Sequence, residues 1–201
     1  MIKRNLLVMG LAVLLSACGF QLRGTGTTEL AIKELDLSAR NAYGETVTQL
    51  RQVLESSGVK VYSGAPYKLM LTDEQENQRI LSYAGAGRTG EYQINTVLNY
   101  EIRGAHNLPL LSDKLEVQKI FLHDGNNLVG SDQETATARK ETRRELVQRM
   151  MLRLQQISPT QLDKLQQTAE ARAKAEAAAL EAAQKAEANT PRQSPVQLPQ
   201  Q

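Results

Sequence analysis

The strongest pattern in the chain is an alternation of apolar and polar residues from Glu91 to Arg103. One face carries Tyr92, Ile94, Thr96, Leu98, Tyr100 and Ile102. The other face carries Glu91, Gln93, Asn95, Asn99, Glu101 and Arg103, with Val97 as the single exception. A period of two residues is typical of a strand, and this division predicts an antiparallel sheet with one packed and one solvated face.

Weaker alternation predicts three further strands. The first spans residues 28–38 and contains one slip in its alternation, which a bulge would explain. The second spans residues 59–83 with an interruption at Pro66, and the last spans residues 114–122. Together with the strand described above, these segments predict a four-stranded, mostly antiparallel sheet.

Apolar residues at helical spacing predict two helices. The first covers residues 43–57, because Gly58 suits the position after a helix end, and its buried face consists of Val47, Leu50 and Leu54. The second opens with Ser131 and Glu134 in capping-box spacing and ends at Pro159. Its apolar stripe consists of Leu146, Val147, Met150, Met151, Leu154 and Ile157. The order β-α-β-β-β-α predicts an α+β domain over residues 28–158.

The composition changes after this domain. Residues 169–188 contain eleven alanines, and Leu180 is their single large apolar side chain. Such a segment can form a solvated helix by propensity, and it shows no heptad pattern of a coiled coil. We predict that residues 159–201 form an Ala-rich and then Pro/Gln-rich flexible tail, and that residues 160–201 are dispensable for folding.

The amino terminus has the layout of an export signal. Lys3 and Arg4 precede an apolar run of ten residues, 6–15, which is about half of what a membrane-spanning helix needs. Leu15-Ser16-Ala17-Cys18 then resembles a bacterial lipobox, in which the cysteine is acylated and becomes the first residue. We therefore predict a signal peptide over 1–17 and a lipidated segment over 18–27.

Composition excludes several classes of protein. The chain has 201 residues, and without Lys3 and Arg4 it has 22 basic and 22 acidic side chains, which argues against nucleic-acid binding. One cysteine and two histidines exclude a disulfide scaffold and a Cys/His zinc site. We expect no metal site and no cofactor.

Three candidate sites remain. Residues 85–90 match G-x-G-x-x-G but precede a strand, so we interpret them as a hairpin tip whose Arg88 is either solvated or in contact with a phosphate. His123, Asp124 and Ser131 have the residue types of a hydrolytic triad, but adjacent residues on a strand point apart, so we predict no enzyme.

The last helix carries Arg139, Lys140 and Arg143 on the azimuth of its apolar stripe, ahead of Leu146. This predicts that its first turns project past the sheet. The basic residues there either are solvated or meet an anionic partner, such as a lipid head group or an acidic protein wall.

Several motifs together resemble the LPS-assembly lipoprotein family, LptE. They are the lipobox, the start Cys18-Gly19-Phe20-Gln21-Leu22-Arg23-Gly24, the strand opening Glu91-Tyr92-Gln93 after a Gly-rich hairpin, and the low-complexity tail. The resemblance implies a non-enzymatic lipoprotein, held by outer-membrane lipid through acylated Cys18. Gly19 after the lipobox cysteine implies the inner leaflet of the outer membrane, facing the periplasm.

The resemblance also implies a plug inside the LptD β-barrel that takes part in lipopolysaccharide assembly and binds lipopolysaccharide. Arg88 is the nearest counterpart of the basic residues at the family's hairpin tip, and we add Arg139, Lys140 and Arg143 as candidate contacts. The polar strand face suits a polar barrel lumen, so we expect Gln93, Asn95, Asn99, Glu101 and Arg103 to face the barrel. The alternative is a periplasm-facing lipoprotein that binds an amphiphile or chaperones another envelope protein outside any barrel.

Overall fold

A computed structural model describes residues 30–84 and 89–189. In these two ranges the chain forms five strands and three α-helices. The strands are β1 (Glu34–Ala39), β2 (Lys60–Val61), β3 (Lys68–Ala84), β4 (Thr89–Arg103) and β5 (Pro109–Asp124). The helices are α1 (Glu45–Ser56), α2 (Leu128–Gln155) and α3 (Pro159–Asn189). The predicted α+β class is confirmed, whereas the predicted numbers of strands and helices are wrong.

The sheet is mixed and has the strand order β2-β1-β3-β4-β5. β1 pairs in parallel with both β2 and β3, and the pairs β3-β4 and β4-β5 are antiparallel. The predicted second strand is in fact two strands, because the chain turns at Gly64, where φ is +88°, and at Pro66. The two halves then pair with opposite edges of β1, which makes five strands instead of four.

β3, β4 and β5 form a long antiparallel meander that carries most of the sheet. β4 is paired along its whole length, from Thr89 opposite Asp124 to Arg103 opposite Pro109. β5 is longer at both ends than predicted, since pairing with β4 continues beyond the stretch of clear alternation. β3 contains two irregularities, at Thr72 and Leu81, where the register with β4 shifts by one residue.

Helices α1 and α2 lie on one side of the sheet. α1 lies within the predicted span, and Gly58 follows it with φ of +81°, as expected of a glycine after a helix end. α2 begins at Leu128, three residues before the predicted start. Its N-cap is Asn127, whose side chain accepts a hydrogen bond from the Gly130 N–H at 3.0 Å, and not Ser131.

The core lies between these helices and the apolar face of the sheet. β4 contributes Ile94, Leu98, Tyr100 and Ile102, each at most 1% exposed. α1 contributes Leu50 and Leu54, and α2 contributes Leu146, Met150 and Leu154. Burying one such side chain contributes about 1.5–3 kcal/mol, so these contacts fix the helices on this face and direct the alternate residues of β4 to the other side.

The first turn of α3 belongs to this core. Leu162 is fully buried among the core residues, and the Tyr67 hydroxyl donates a hydrogen bond to Asp163 Oδ1 at 2.8 Å. The Gln166 side-chain oxygen accepts a hydrogen bond from the Ala105 N–H at 3.1 Å. The first turns of α3 therefore contribute to the core, contrary to the expectation that residues 160–201 have almost no apolar stripe to bury, whereas residues 174–189 are exposed throughout.

In the ranges 30–84 and 89–189, none of the helices combines the length and apolar character needed to cross a membrane. The same residues contain no group of three or more His, Cys, Asp or Glu side chains that could hold a metal ion.

Candidate functional site

The five polar residues predicted on one face of β4 do share a face. Ile94, Leu98 and Ile102 are buried against the helices, so the intervening residues of β4 point to the opposite side of the sheet. The residues concerned are Gln93, Asn95, Asn99, Glu101 and Arg103. We call this side, with the residues of β3 and β5 that are paired beside them, the open face.

Neighbouring strands widen the open face into a broad surface, which is polar around Asn95 and Asn99 and carries the exposed apolar side chains Ile120 and Leu122 beside Gln93 and Glu91. On β5 the register places Lys114 beside Asn99 and Gln118 beside Asn95, and both β5 residues are exposed. On β3 it places Asn77 beside Asn95 and Arg79 beside Gln93. Sequence reasoning did not assign these flanking residues, although the alternation of Lys114, Glu116 and Gln118 within β5 was visible in the sequence.

Side-chain hydrogen bonds run across the open face from strand to strand. Arg79 Nε donates to Gln93 Oε1 at 2.5 Å, and Gln93 Nε2 donates to Gln118 Oε1 at 2.8 Å. Gln118 Nε2 then donates to Glu116 Oε1 at 3.0 Å. Glu116 accepts this hydrogen bond from Gln118 and a second one from Asn95. Both lower the pKa of the Glu116 carboxyl group, the bond from Gln118 more strongly, so Glu116 is a carboxylate at neutral pH. Gln93 is only 6% exposed, so the middle of this chain of bonds is fixed in position.

Positive and negative charges are nearly balanced on the open face. Its basic residues on β3, β4 and β5 are Lys68, Arg79, Arg103 and Lys114. Its acidic residues on these strands are Asp73, Glu91, Glu101, Glu116 and, at the end of β5, Asp124. Arg103 and Glu101 form an ion pair at 2.7 Å. The charges of this surface therefore nearly cancel and leave no basic excess, which argues against recognition of a polyanion here.

The basic residues of α2 are placed differently from the prediction. The first half of the helix does not project past the sheet, because Ala138 and Thr142 are 3% and 2% exposed. Ala138 packs against Ile94 of β4 and Phe121 of β5. The small side chains at these two positions let the helix lie close to the sheet, and this is why the large apolar residues start only at Leu146.

Two of the three basic residues of α2 that were predicted to contact lipopolysaccharide form ion pairs within the domain. Arg139 Nε lies 2.7 Å from Glu76 Oε1 of β3, and Arg143 Nη2 lies 2.5 Å from Glu45 Oε2 of α1. Lys140 is exposed. All three line a groove of about 700 Å³ between α1 and α2, so the structure brings them together, away from the open face.

The residues of the rejected triad have structural roles. The Ser131 hydroxyl donates a hydrogen bond to the Asp124 carbonyl oxygen at 2.9 Å and accepts one from the Asp124 N–H at 2.7 Å. The His123 ring lies 4.7 Å from the Tyr92 ring, centroid to centroid. Ser131 therefore closes the loop before α2.

Some predicted features lie outside the described residues. These are the signal peptide 1–17, the lipidated segment 18–27 with Cys18, and Arg88 in the hairpin. The G-x-G-x-x-G match continues into β4 and not into a helix, as expected for a hairpin. Gly90 is required there, because a Cβ atom at this position would lie 2.7 Å from the Ser82 carbonyl oxygen.

Comparison with known proteins gives consistent matches. The model of the family LptE, described as lipopolysaccharide-assembly, matches residues 32–154. A protein of Pectobacterium atrosepticum named LPS-assembly lipoprotein LptE is 30% identical over 162 residues, covering 77% of this chain and 86% of the relative. A protein of the same name from Photorhabdus laumondii is 28% identical over 154 residues, covering 74% of this chain and 83% of the relative.

Solved structures show the same fold. The crystal structure of the rare lipoprotein B from Shewanella oneidensis matches with a TM-score of 0.54 and 21% identity, covering 60% of this chain and 92% of that one. The solution structure of an uncharacterized lipoprotein B from Nitrosomonas europaea matches with a TM-score of 0.56 and 23% identity, covering 70% of this chain and 90% of that one. At these identities the similarity concerns the fold alone.

Proposed function

Because the chain belongs to the lipopolysaccharide-assembly family LptE, we propose that it is the lipid-anchored plug of an LptD-type β-barrel in the outer membrane. The family is one of non-enzymatic outer-membrane lipoproteins with a role in lipopolysaccharide assembly. The mechanism we propose is steric and electrostatic. The folded domain fills the barrel lumen and stabilises the barrel, and basic residues contact the phosphates of lipopolysaccharide in transit.

The open face is the observation that carries this proposal. A membrane barrel has a polar lumen, so a domain lodged inside needs a largely polar surface. The bonds linking Arg79, Gln93, Gln118 and Glu116 provide such a surface across three strands. The nearly equal numbers of acidic and basic side chains on this face keep its net charge small, so little like-charge repulsion arises when it is enclosed in a lumen.

The proposed anchor is compatible with this arrangement. Acylation of Cys18 would hold the chain in the inner leaflet of the outer membrane, facing the periplasm. Leu30, the first described residue, is buried in the core beside β1, so a short segment joins the anchor to the folded domain. Cys18 and Leu30 are twelve positions apart in the sequence, so the domain can lie at most about 40 Å from the proposed anchor.

Lipopolysaccharide contact is proposed for two sets of basic residues. Arg88 stands between β3 and β4 in the sequence, and Arg139, Lys140 and Arg143 line the groove between α1 and α2. A guanidinium or ammonium group can form charge-assisted hydrogen bonds with a lipid A phosphate, at about twice the strength of neutral ones.

Co-purification after mild detergent extraction tests the proposal. We expect the chain to be recovered in a stoichiometric complex with one large outer-membrane barrel protein. A Cys18→Ser variant should lose its acyl chains and no longer fractionate with the outer membrane. Recovery of the native lipoprotein without any large barrel protein would contradict the proposed plug.

A further inference from the structure

A second cavity, of about 480 Å³, lies between the last turns of α1 and α2, and we call it the end groove. Its apolar lining consists of Val53 from α1 and Val147, Met151 and Leu152 from α2. Val147 and Met151 are 3% and 7% exposed and form the floor, whereas Leu152 is 58% exposed and forms the rim. The volume falls in the range of about 300–1,000 Å³ that is usual for small-molecule sites, so large side chains have room in it.

The polar lining of the end groove is largely neutral. It includes three glutamines whose side chains form no hydrogen bond with another residue of 30–84 or 89–189, namely Gln49, Gln148 and Gln155. The charged residue of the lining is Arg144, which acts on Glu141. A hydrogen bond from Lys119 and, more weakly, the charge of Arg144 lower the pKa of the Glu141 carboxyl. The glutamine amides are therefore available to a neutral backbone, which needs a partner for each N–H and C=O that it buries.

A pair of apolar residues with a suitable spacing precedes the described part of the chain. Phe20 and Leu22 alternate with polar residues. In an extended segment their side chains would point to the same side, about 6.6 Å apart. Val147 and Met151 are four residues apart on α2, which is about 6 Å along the helix. Two side chains with the first spacing therefore fit over two floor positions with the second.

The chain enters the domain beside the end groove. Three residues after buried Leu30, the Lys33 carbonyl oxygen accepts a hydrogen bond from the Lys60 N–H at 2.8 Å. Lys60 in turn lies three residues after Ser57, which lines the end groove. The path from Leu30 to Ser57 through this bond is thus at most about 27 Å. Leu22 is eight positions before Leu30, and an extended chain of that length spans about 26–29 Å, so Leu22 can reach the end groove.

We infer that the end groove binds the amino-terminal segment of the same chain, with Phe20 and Leu22 over Val147 and Met151 and the backbone beside the glutamine side chains. A second copy of the domain is a poorer occupant. A segment tethered by a short linker has an effective concentration in the millimolar range, so it fills the groove ahead of a free partner.

This docking sets the orientation of the domain on its anchor. Phe20 is two positions after Cys18, so about 7 Å of chain separates the docked segment from the acylated residue. The last turns of α1 and α2 then face the membrane. The hairpin end of the sheet points away from it, because β5 ends opposite Thr89 and α2 returns from there. This orientation rests on the proposed acylation of Cys18, whereas the docking does not.

Photocrosslinking from position 20 tests the inference. A photoreactive phenylalanine analogue replaces Phe20 in the full-length lipoprotein purified in detergent, so an aromatic side chain is kept there. We expect a crosslink within one chain to the tryptic peptides of residues 145–149 and 150–153, which contain Val147 and Met151. The same analogue in place of Gln21, which points the other way in an extended segment, should give at least fivefold less of this crosslink.

A pair of matched variants shows whether the crosslink reports the end groove. Leu152→Asp places a charge at the rim and should lower the yield from position 20 at least fivefold. Leu180→Asp makes the same change at a position of α3 that is 62% exposed, and it should leave the yield unchanged.

Thermal unfolding gives a second measurement without a photoreactive residue. Phe20→Ser/Leu22→Ser should lower the melting temperature by at least about 3 °C, because two docked apolar side chains are lost. Gln21→Ser/Arg23→Ser alters the alternate positions of the same segment and should leave the melting temperature unchanged.

Three crosslinking results would overturn the inference: adducts with detergent only, adducts between two copies only, or a yield that Leu152→Asp does not change. An unchanged melting temperature of Phe20→Ser/Leu22→Ser would also overturn it. Neither measurement needs a barrel or lipopolysaccharide, so its failure is distinct from a failure of barrel co-purification.

Discussion

Ending the chain after Ser158 is expected to destabilise the domain by about 3–5 kcal/mol, although it removes a segment that looks dispensable in the sequence. The truncation empties the core position of Leu162, and removing a buried leucine side chain costs about 2–5 kcal/mol. It also removes the hydrogen bond from the Tyr67 hydroxyl to Asp163. For a domain of this size we expect the melting temperature to fall by about 6–20 °C.

A second truncation provides the matched control. Ending the chain after Lys174 keeps Leu162, Asp163 and Gln166 and removes only exposed residues from the described part of α3, so thermal unfolding should match the full chain. In the full chain, Leu162→Ala should reproduce most of the loss, whereas Leu180→Ala, at a position 62% exposed, should have no effect. Equal melting temperatures for the Ser158 truncation and the full chain would show that the α3 contacts do not contribute to stability.

Replacing Asn99 with Trp is expected to abolish recovery of the barrel while leaving the isolated domain folded. Asn99 lies in the middle of the open face, half-buried between Asp73 of β3 and Lys114 of β5. An indole there projects away from the core into the space that we assign to the barrel wall. A fitted interface tolerates such overpacking poorly, at a cost of about 1–3 kcal/mol, so the affinity for the barrel should drop by about 5- to 150-fold.

The control for Asn99→Trp is Leu180→Trp on the exposed part of α3, which adds an indole at a site that we assign to solvent. Both variants should unfold at the same temperature as the parent when purified alone. If Asn99→Trp unfolds at the parental temperature and still recovers the barrel at the parental level, the open face does not contact the barrel.

The sequence was sufficient to predict the elements whose hydrophobic pattern or end signal involves residues close together in the chain. Apolar and polar residues alternate regularly in β4, because one face packs on the helices and the other does not. The two-residue period of a strand was therefore enough to place the five predicted polar residues, Gln93 to Arg103, on one face. α1 was located by its apolar face and by Gly58, whose positive φ ends the helix. Such features depend on neighbours within a few residues and are therefore visible without the fold.

The features that the sequence did not predict depend on contacts between distant residues. β2 and β3 pair with opposite edges of β1, which no alternation within residues 59–83 reveals. Leu162 lies in a polar stretch and is buried only because α3 turns back onto the sheet. Arg139 and Arg143 looked free on a helical wheel, yet their partners Glu76 and Glu45 come from β3 and α1.

Photocrosslinking from Lys114 tests the central claim most directly. Lys114 is exposed, lies beside Asn99 on the open face, and has a matched control in exposed Gln184 of α3. With a photoreactive residue at position 114 in living cells, we predict a single dominant adduct with a large outer-membrane barrel protein, and none from position 184. Adducts with other envelope proteins only, or no adduct from position 114 in a correctly lipidated chain, would contradict the placement of this domain inside a barrel.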